Sequence, residues 1–279
     1  MAAAPRLTAI ESTMSDDPNT RYRMDLAYLG TGLYGWQAQL SKNTVQDLLE
    51  EALGVFLRHT TRVAGASRTD TGVHAMHQVA SFETNVAFDE MRWLKALRHL
   101  LPPGIGVQAI RPVPREFHPI LAAKGKIYLY RIWQGPTANP FVRPFAWKTL
   151  HPIDLSSLQE NSRDFLGSHD FSAFCAADSS AKTKVRQIHA IECQEIGPEL
   201  RLWIAGRGFL KQQIRIMVGT LVEIAIGKRP SGQIPEILAT KDRKLAGRTA
   251  PAEGLTLMRV LYDDSIATTL RALVDHPPL

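Results

Sequence analysis

The chain has 279 residues, 44% of them hydrophobic, enough to fill one large core or two ordinary ones. It has no run of about 18 apolar residues, and so no candidate membrane-spanning helix; its two cysteines, Cys175 and Cys193, lack metal-ligand spacing, exclude a disulfide framework and fit a reducing cytoplasm. Lys and Arg outnumber Asp and Glu by 33 to 27, a mild excess that points towards a polyanionic partner.

Residues 1–20 carry Glu11, Asp16 and Asp17 and no apolar core of signal-peptide length, and they read as a disordered tail. From there Tyr22, Met24, Leu26 and Tyr28 alternate with Arg21, Arg23 and Asp25, as in a half-buried strand, and a turn follows from Gly30 to Gly35. Thr44, with Asp47 three residues on, caps a helix whose apolar stripe is Val45, Leu48, Leu49, Ala52, Leu53 and Phe56. Apolar runs at Arg62-Val63-Ala64 and Val79-Ala80-Ser81-Phe82 bracket a polar loop, Gly65 to Ala75. A helix over about 89–101 uses Met91, Leu94 and Leu97 and stops before Pro102-Pro103. A strand over 126–133 puts Tyr128 and Tyr130 on one face and Ile127 and Leu129 on the other.

Four prolines between Pro136 and Pro152, with no period between them, mark a crossover or linker over 136–152. The second half opens with a helix capped by Asp154 and closed by Gly167, then strands near 185–195 and 200–206. A long helix buries Leu210, Ile214, Met217, Val218, Leu221, Val222 and Ala225 and ends at Gly227; a last strand spans 255–262 and a short helix 265–273. These elements divide the chain into a subdomain over 21–135, the linker, a subdomain over 153–263 and a C-terminal tail over 264–279. Strands and helices in mixed order favour an α/β protein of two similar subdomains that share or abut sheets.

The Gly65–Ala75 loop holds the best candidate chemistry, Arg68 two residues before Asp70 among small and hydroxylated residues. A turn aspartate that bonds its own backbone fits the same residues. A guanidinium beside a carboxylate favours the charged form, suited to attack on an electron-poor carbon or to removal of an activated proton, with no metal required. Gly30-Thr31-Gly32-Leu33-Tyr34-Gly35 matches the dinucleotide fingerprint in letters but opens no helix, since the cap comes only at Thr44. His74 and His77 lack a third ligand, His118 and His169 are isolated, and Ser67 has no partner base. Basic residues are dispersed, though Lys182, Lys184 and Arg186 alternate as a strand would present them to phosphates.

Taken together, several segments resemble the TruA family of tRNA pseudouridine synthases. They are Tyr34-Gly35-Trp36-Gln37, Thr44-Val45-Gln46, Arg68-Thr69-Asp70-x-Gly72-Val73-His74-Ala75 with Gln78-Val79, Phe117-His118, Lys126-x-Tyr128-x-Tyr130, Asp170-Phe171, Gly208-Phe209-Leu210 with Arg215 and Val218-Gly219, and Ala252-Glu253-Gly254-Leu255. They run in order over about 21–262. The resemblance implies the pseudouridine synthase fold, two α/β subdomains each like an RNA-recognition module, with mainly antiparallel sheets flanking a basic cleft. It implies a homodimer that converts uridines at positions 38 to 40 of the tRNA anticodon stem-loop, without cofactor or metal. By motif, Asp70 takes the place of the catalytic aspartate, Arg68 of the base-displacing arginine, Tyr128 of the residue that stacks on the base, Arg215 of the basic partner of the carboxylate, and Leu255 of a residue lining the uracil pocket.

The residue types suit that chemistry. Extracting a stacked uridine costs a few kcal/mol, and stacking on an aromatic ring such as Tyr128 returns roughly 1–3 kcal/mol. Asp70 then either attacks covalently or removes a ribose proton to give a glycal, and the sequence leaves both routes open. A tRNA-binding chaperone without activity and a synthase for another RNA site are the alternatives, the first disfavoured by the intact Asp70. Two departures from the family stand out: Ser67, where glycine is usual, and Lys211-Gln212-Gln213-Ile214, where an aromatic, His and Met pattern is usual.

Overall fold

The computed structural model describes residues 19–137 and 139–278. Ten strands form one sheet: β1 Thr20–Tyr28, β2 Ala64–Gly65, β3 His74–Thr84, β4 Ile105–Pro112, β5 Gly125–Trp133, β6 Trp147–Lys148, β7 Gly167–Asp170, β8 Val185–Ile196, β9 Glu199–Gly206 and β10 Leu255–Leu261. The main path runs β4-β1-β3-β10-β5-β9-β8-β7, with β2 added beside β3 and β6 beside β5. Along that path every pairing is antiparallel except β10 with β3, where Thr256 faces His74 and Leu257 faces Ala75. The shared sheet is therefore a mixed, mainly antiparallel one, as expected. The C-terminal strand β10 is the piece that joins the two sides.

Helices α1 Val45–Leu57, α2 Glu90–Leu100, α3 Leu155–Ser162, α4 Gln213–Ala225 and α5 Ile234–Thr240 contribute buried residues to a core that includes Tyr22, Met24, Leu26, Tyr128, Tyr130 and Ile132. The last helix, α6 Ile266–Asp275, buries Leu270 with Ile127, Leu129, Trp203 and Met258 in a second, smaller cluster. Strand β5 thus splits its residues between two cores, Tyr128 and Tyr130 to one and Ile127 and Leu129 to the other, because successive side chains of a strand point to opposite faces. The cap of α1 is as expected, with the Thr44 side chain accepting from the Asp47 N–H at 3.1 Å. Among the described residues no helix is long and apolar enough to cross a membrane.

Several local expectations are corrected. Met91 is exposed on α2, and Trp93 takes the core position beside Leu97. Gly167 does not close α3; the helix runs into a tight 3₁₀ turn, Arg163–Phe165, that buries Phe165, and Gly167 opens β7 at φ +93°. Leu210 precedes α4, which begins at Gln213 after Gln212 at φ 60°. Lys182 and Lys184 lie before β8, in a turn where the Lys184 ammonium donates to the Ser179 carbonyl, so only Arg186 of that row is on a strand. The expected tail over 1–20 lies outside the described residues except for Asn19 and Thr20, and Thr20 opens β1.

Candidate active site

The Gly65–Ala75 loop connects β2 to β3 and is stitched to the Gly30–Gly35 turn along its length. The Trp36 N–H donates to the Thr69 carbonyl at 3.0 Å, and the Gly72 N–H donates to the Leu33 carbonyl at 3.3 Å. So close an approach needs residues without a Cβ. A Cβ on Gly30 would stand 2.3 Å from the Val73 carbonyl oxygen, and one on Gly35, at φ +83°, 2.6 Å from that of Thr69. Two of the three glycines that imitate a nucleotide fingerprint, Gly30 and Gly35, are there for backbone contact, and the third, Gly32, takes a left-handed φ of +78° in the turn. Gly35→Ala combines a left-handed backbone with a clash against main chain, and we expect it to destabilise the fold by at least about 1–3 kcal/mol, read as a lower urea midpoint.

Buried side chains hold the loop from below. The Gln78 amide grips the Ser67 peptide from both sides, accepting from its N–H at 3.1 Å and donating to its carbonyl at 2.6 Å. The Tyr28 and Thr69 hydroxyls pair at 2.8 Å, and the Lys126 ammonium donates to the Ala66 carbonyl at 2.7 Å. Ser67 has an ordinary negative φ, so it fits this turn without strain, and its hydroxyl lies 2.8 Å from that of Tyr128. The departure from glycine thus adds a hydrogen bond to the tyrosine.

All five residues singled out in the sequence line one cleft of about 810 Å³. Arg215 reaches from α4 to within 3.1 Å of an Asp70 oxygen through Nη1, while its Nε donates to the Ala250 carbonyl at 2.8 Å. Both side chains are mostly buried, at 14% and 17% exposure, so this pair is shielded from solvent far more than a surface ion pair. Arg68 is exposed and makes no hydrogen bond or ion pair with the described residues. The local Arg68–Asp70 pairing expected from their spacing is corrected: Arg215 holds the carboxylate, leaving Arg68 free at the cleft wall. The Tyr128 ring meets Phe209 edge-on at 5.3 Å, and burial pushes its phenol well above the usual tyrosine range. Leu255, at the start of β10, is buried beside Tyr130 and reaches the same cleft. Arg68, Lys126, Lys211 and Arg215 outnumber Asp70 and Asp178 along its walls, and Lys211 is bonded to Asp178 at 2.6 Å.

The two histidines of β3 are occupied. The Nδ1 of His74 accepts from the Gly30 N–H at 3.0 Å, which leaves the proton on Nε2 to donate to the Pro144 carbonyl at 3.0 Å. His77 Nδ1 accepts from the Val260 N–H at 3.3 Å, and burial pushes this imidazole down to about 4 despite Asp25 nearby. Burial lowers His74 as well. Well above pH about 6.5 neither state carries these protons; as pH falls through that value the unfolded chain binds them more readily than the folded one, for His77 down to about 4, so stability drops. The urea midpoint should decline over that window, and more gently in His77→Asn, whose amide oxygen still accepts from Val260.

Lys126, Phe209 and Gln78 were not singled out as site residues from the sequence. Lys126 had a readable signal, since it stands two residues before Tyr128 and so on the same face of the strand. Gln78 and Phe209 gain their roles only through contacts across the fold.

A family model described as tRNA pseudouridine synthase matches residues 26–120 and 162–263. The chain is 42% identical over 240 residues to tRNA pseudouridine synthase A of Acetivibrio thermocellus, covering 86% of this chain and 98% of that one. It is 42% identical over 259 residues to the protein of the same name from Geobacillus kaustophilus, covering 91% and 98%. Among solved structures it aligns with a chain of a Cbf5-Nop10-Gar1 complex at 14% identity and a TM-score of 0.34, over 85% of this chain and about half of the other (48%).

Proposed function

The chain belongs to the TruA family of tRNA pseudouridine synthases and is an isomerase acting on tRNA uridine; from that premise we propose that it modifies positions 38, 39 and 40 of the anticodon stem-loop with Asp70 as the catalytic group. The observation that carries this reading is the Asp70–Arg215 pair, held in a cleft whose walls include Tyr128 and Leu255. The reaction breaks the bond from C1′ to N1 of the base and forms one from C1′ to C5; C5 loses a proton and N1 gains one, so nothing is consumed and no co-reactant is needed.

In this reading the target base leaves its stack, at a cost of a few kcal/mol, and lies against Tyr128, whose ring is kept in place by Phe209 and whose hydroxyl is kept in place by Ser67. Arg68, exposed and unpaired among the described residues, fills the space the base vacates. Leu255 supplies an apolar wall for the ring. Arg215, fixed by the Ala250 carbonyl, aims the Asp70 carboxylate at the sugar and base, where it acts as nucleophile or as base towards the ribose proton. Family membership further supports action as a homodimer in the cytoplasm.

The test is to incubate unmodified tRNA with the protein and map pseudouridine by chemical probing. Product confined to positions 38 to 40 is the expected result. Product elsewhere would reassign the RNA site, and tRNA binding without product would favour the chaperone reading.

A further inference from the structure

Lys126 is only 8% exposed, yet among the described residues it makes no ion pair, and the one hydrogen bond of its ammonium is to the Ala66 carbonyl. An ammonium has three donors, and a buried charge is normally paired. The charge that Lys126 does feel is of the wrong sign: burial first, and then repulsion from Arg186, push it down to about 8. A neutral donor would hold the Ala66 carbonyl at a smaller desolvation cost, so the strut alone does not account for a lysine. Lys126 also lines the cleft, on the same strand face as Tyr128 and two residues away, within the reach of one nucleotide.

We propose that Lys126 is the cationic element of a phosphodiester subsite inside the cleft, taking as its counter-ion the backbone phosphate next to the nucleotide whose base lies against Tyr128. This rests on the RNA-modifying reading above. Phosphate is the fitting anion because the cleft accepts a polymer with one negative charge per nucleotide, and because the cation nearest Asp70, Arg215, is already committed to a carboxylate. Lys126 therefore selects the depth to which the strand enters.

The test uses anticodon stem-loop RNAs carrying a single neutral methylphosphonate at the phosphate 5′ or 3′ of the target uridine, with affinity and turnover measured separately. Lys126→Met should bind unmodified RNA about tenfold more weakly, and Lys126→Arg should stay within about threefold of the wild type, because the charge is retained. One of the two methylphosphonates should weaken wild-type binding by about the same tenfold factor and leave Lys126→Met unchanged, since the two changes remove one contact. Equal losses in both proteins at both phosphates would reduce Lys126 to a support for Ala66 and overturn the inference. Should Lys126→Met fail to fold, Lys126→Gln, whose amide still donates, carries the same comparison. A wild type that makes no pseudouridine would sink the functional reading, whereas the binding comparison needs no turnover and still judges Lys126.

Discussion

Asp70→Ala is expected to leave no detectable pseudouridine in the anticodon stem-loop while tRNA binding is largely kept. A positioned acid–base group contributes typically about 10²–10⁴-fold to rate, and a nucleophile that forms an obligatory bond has no substitute. Binding should survive because the carboxylate itself repels phosphates, and its removal leaves Arg68, Lys126 and Lys211 on the cleft walls. Arg215 keeps its bond to the Ala250 carbonyl in the variant, so the surroundings of the site stay anchored. Undiminished activity in Asp70→Ala would refute the catalytic assignment outright.

Arg215→Ala should lower kcat by about 100-fold and change KM by less than about threefold, since it removes a charge-assisted contact to the reacting group and not one to the RNA backbone. Two hydrogen bonds disappear together, one to Asp70 and one to Ala250, and each hydrogen bond to a charged group is worth about 1.5–3 kcal/mol. Lysine at 215 restores the charge without the fixed two-pronged geometry and should recover only part of the rate. A change confined to KM would move Arg215 into the phosphate-binding set. Urea midpoints for the three proteins separate loss of catalysis from loss of fold.

The sequence was most legible where short-range physics decides the outcome. The alternation from Arg21 to Tyr28, the Thr44 cap and the two faces of β5 follow from periods of two and from one side-chain bond, and each stands as read. Strand β4 was passed over because it is the edge of the sheet, where half-exposed Val107 and Ala109 blur the alternation; β7, with four residues, is too short to carry a period. Within the site, Asp70, Arg215, Tyr128 and Leu255 do meet, and the carboxylate's partner is the Arg215 that the family resemblance implies, not the Arg68 that local spacing suggests. Arg68 is two residues away in the chain and points elsewhere, while Arg215 is 145 residues away and makes the contact. Met91 shows the same limit on a helix: its place on the apolar stripe was fair, but Trp93, with its larger ring, packs against Tyr22, Phe82 and Phe56 and sets which side of the helix is buried.

The position of β10 bears on how the protein is made. Until Leu255–Leu261 has been synthesised, β3 and β5 each present an unsatisfied edge, the kind of surface on which nascent chains pair with one another. A chain that stops early therefore lacks the strand that draws its halves together and is exposed to self-association. Because synthesis runs from the N-terminus, Leu255 and the joining strand are the last parts of the cleft to be added.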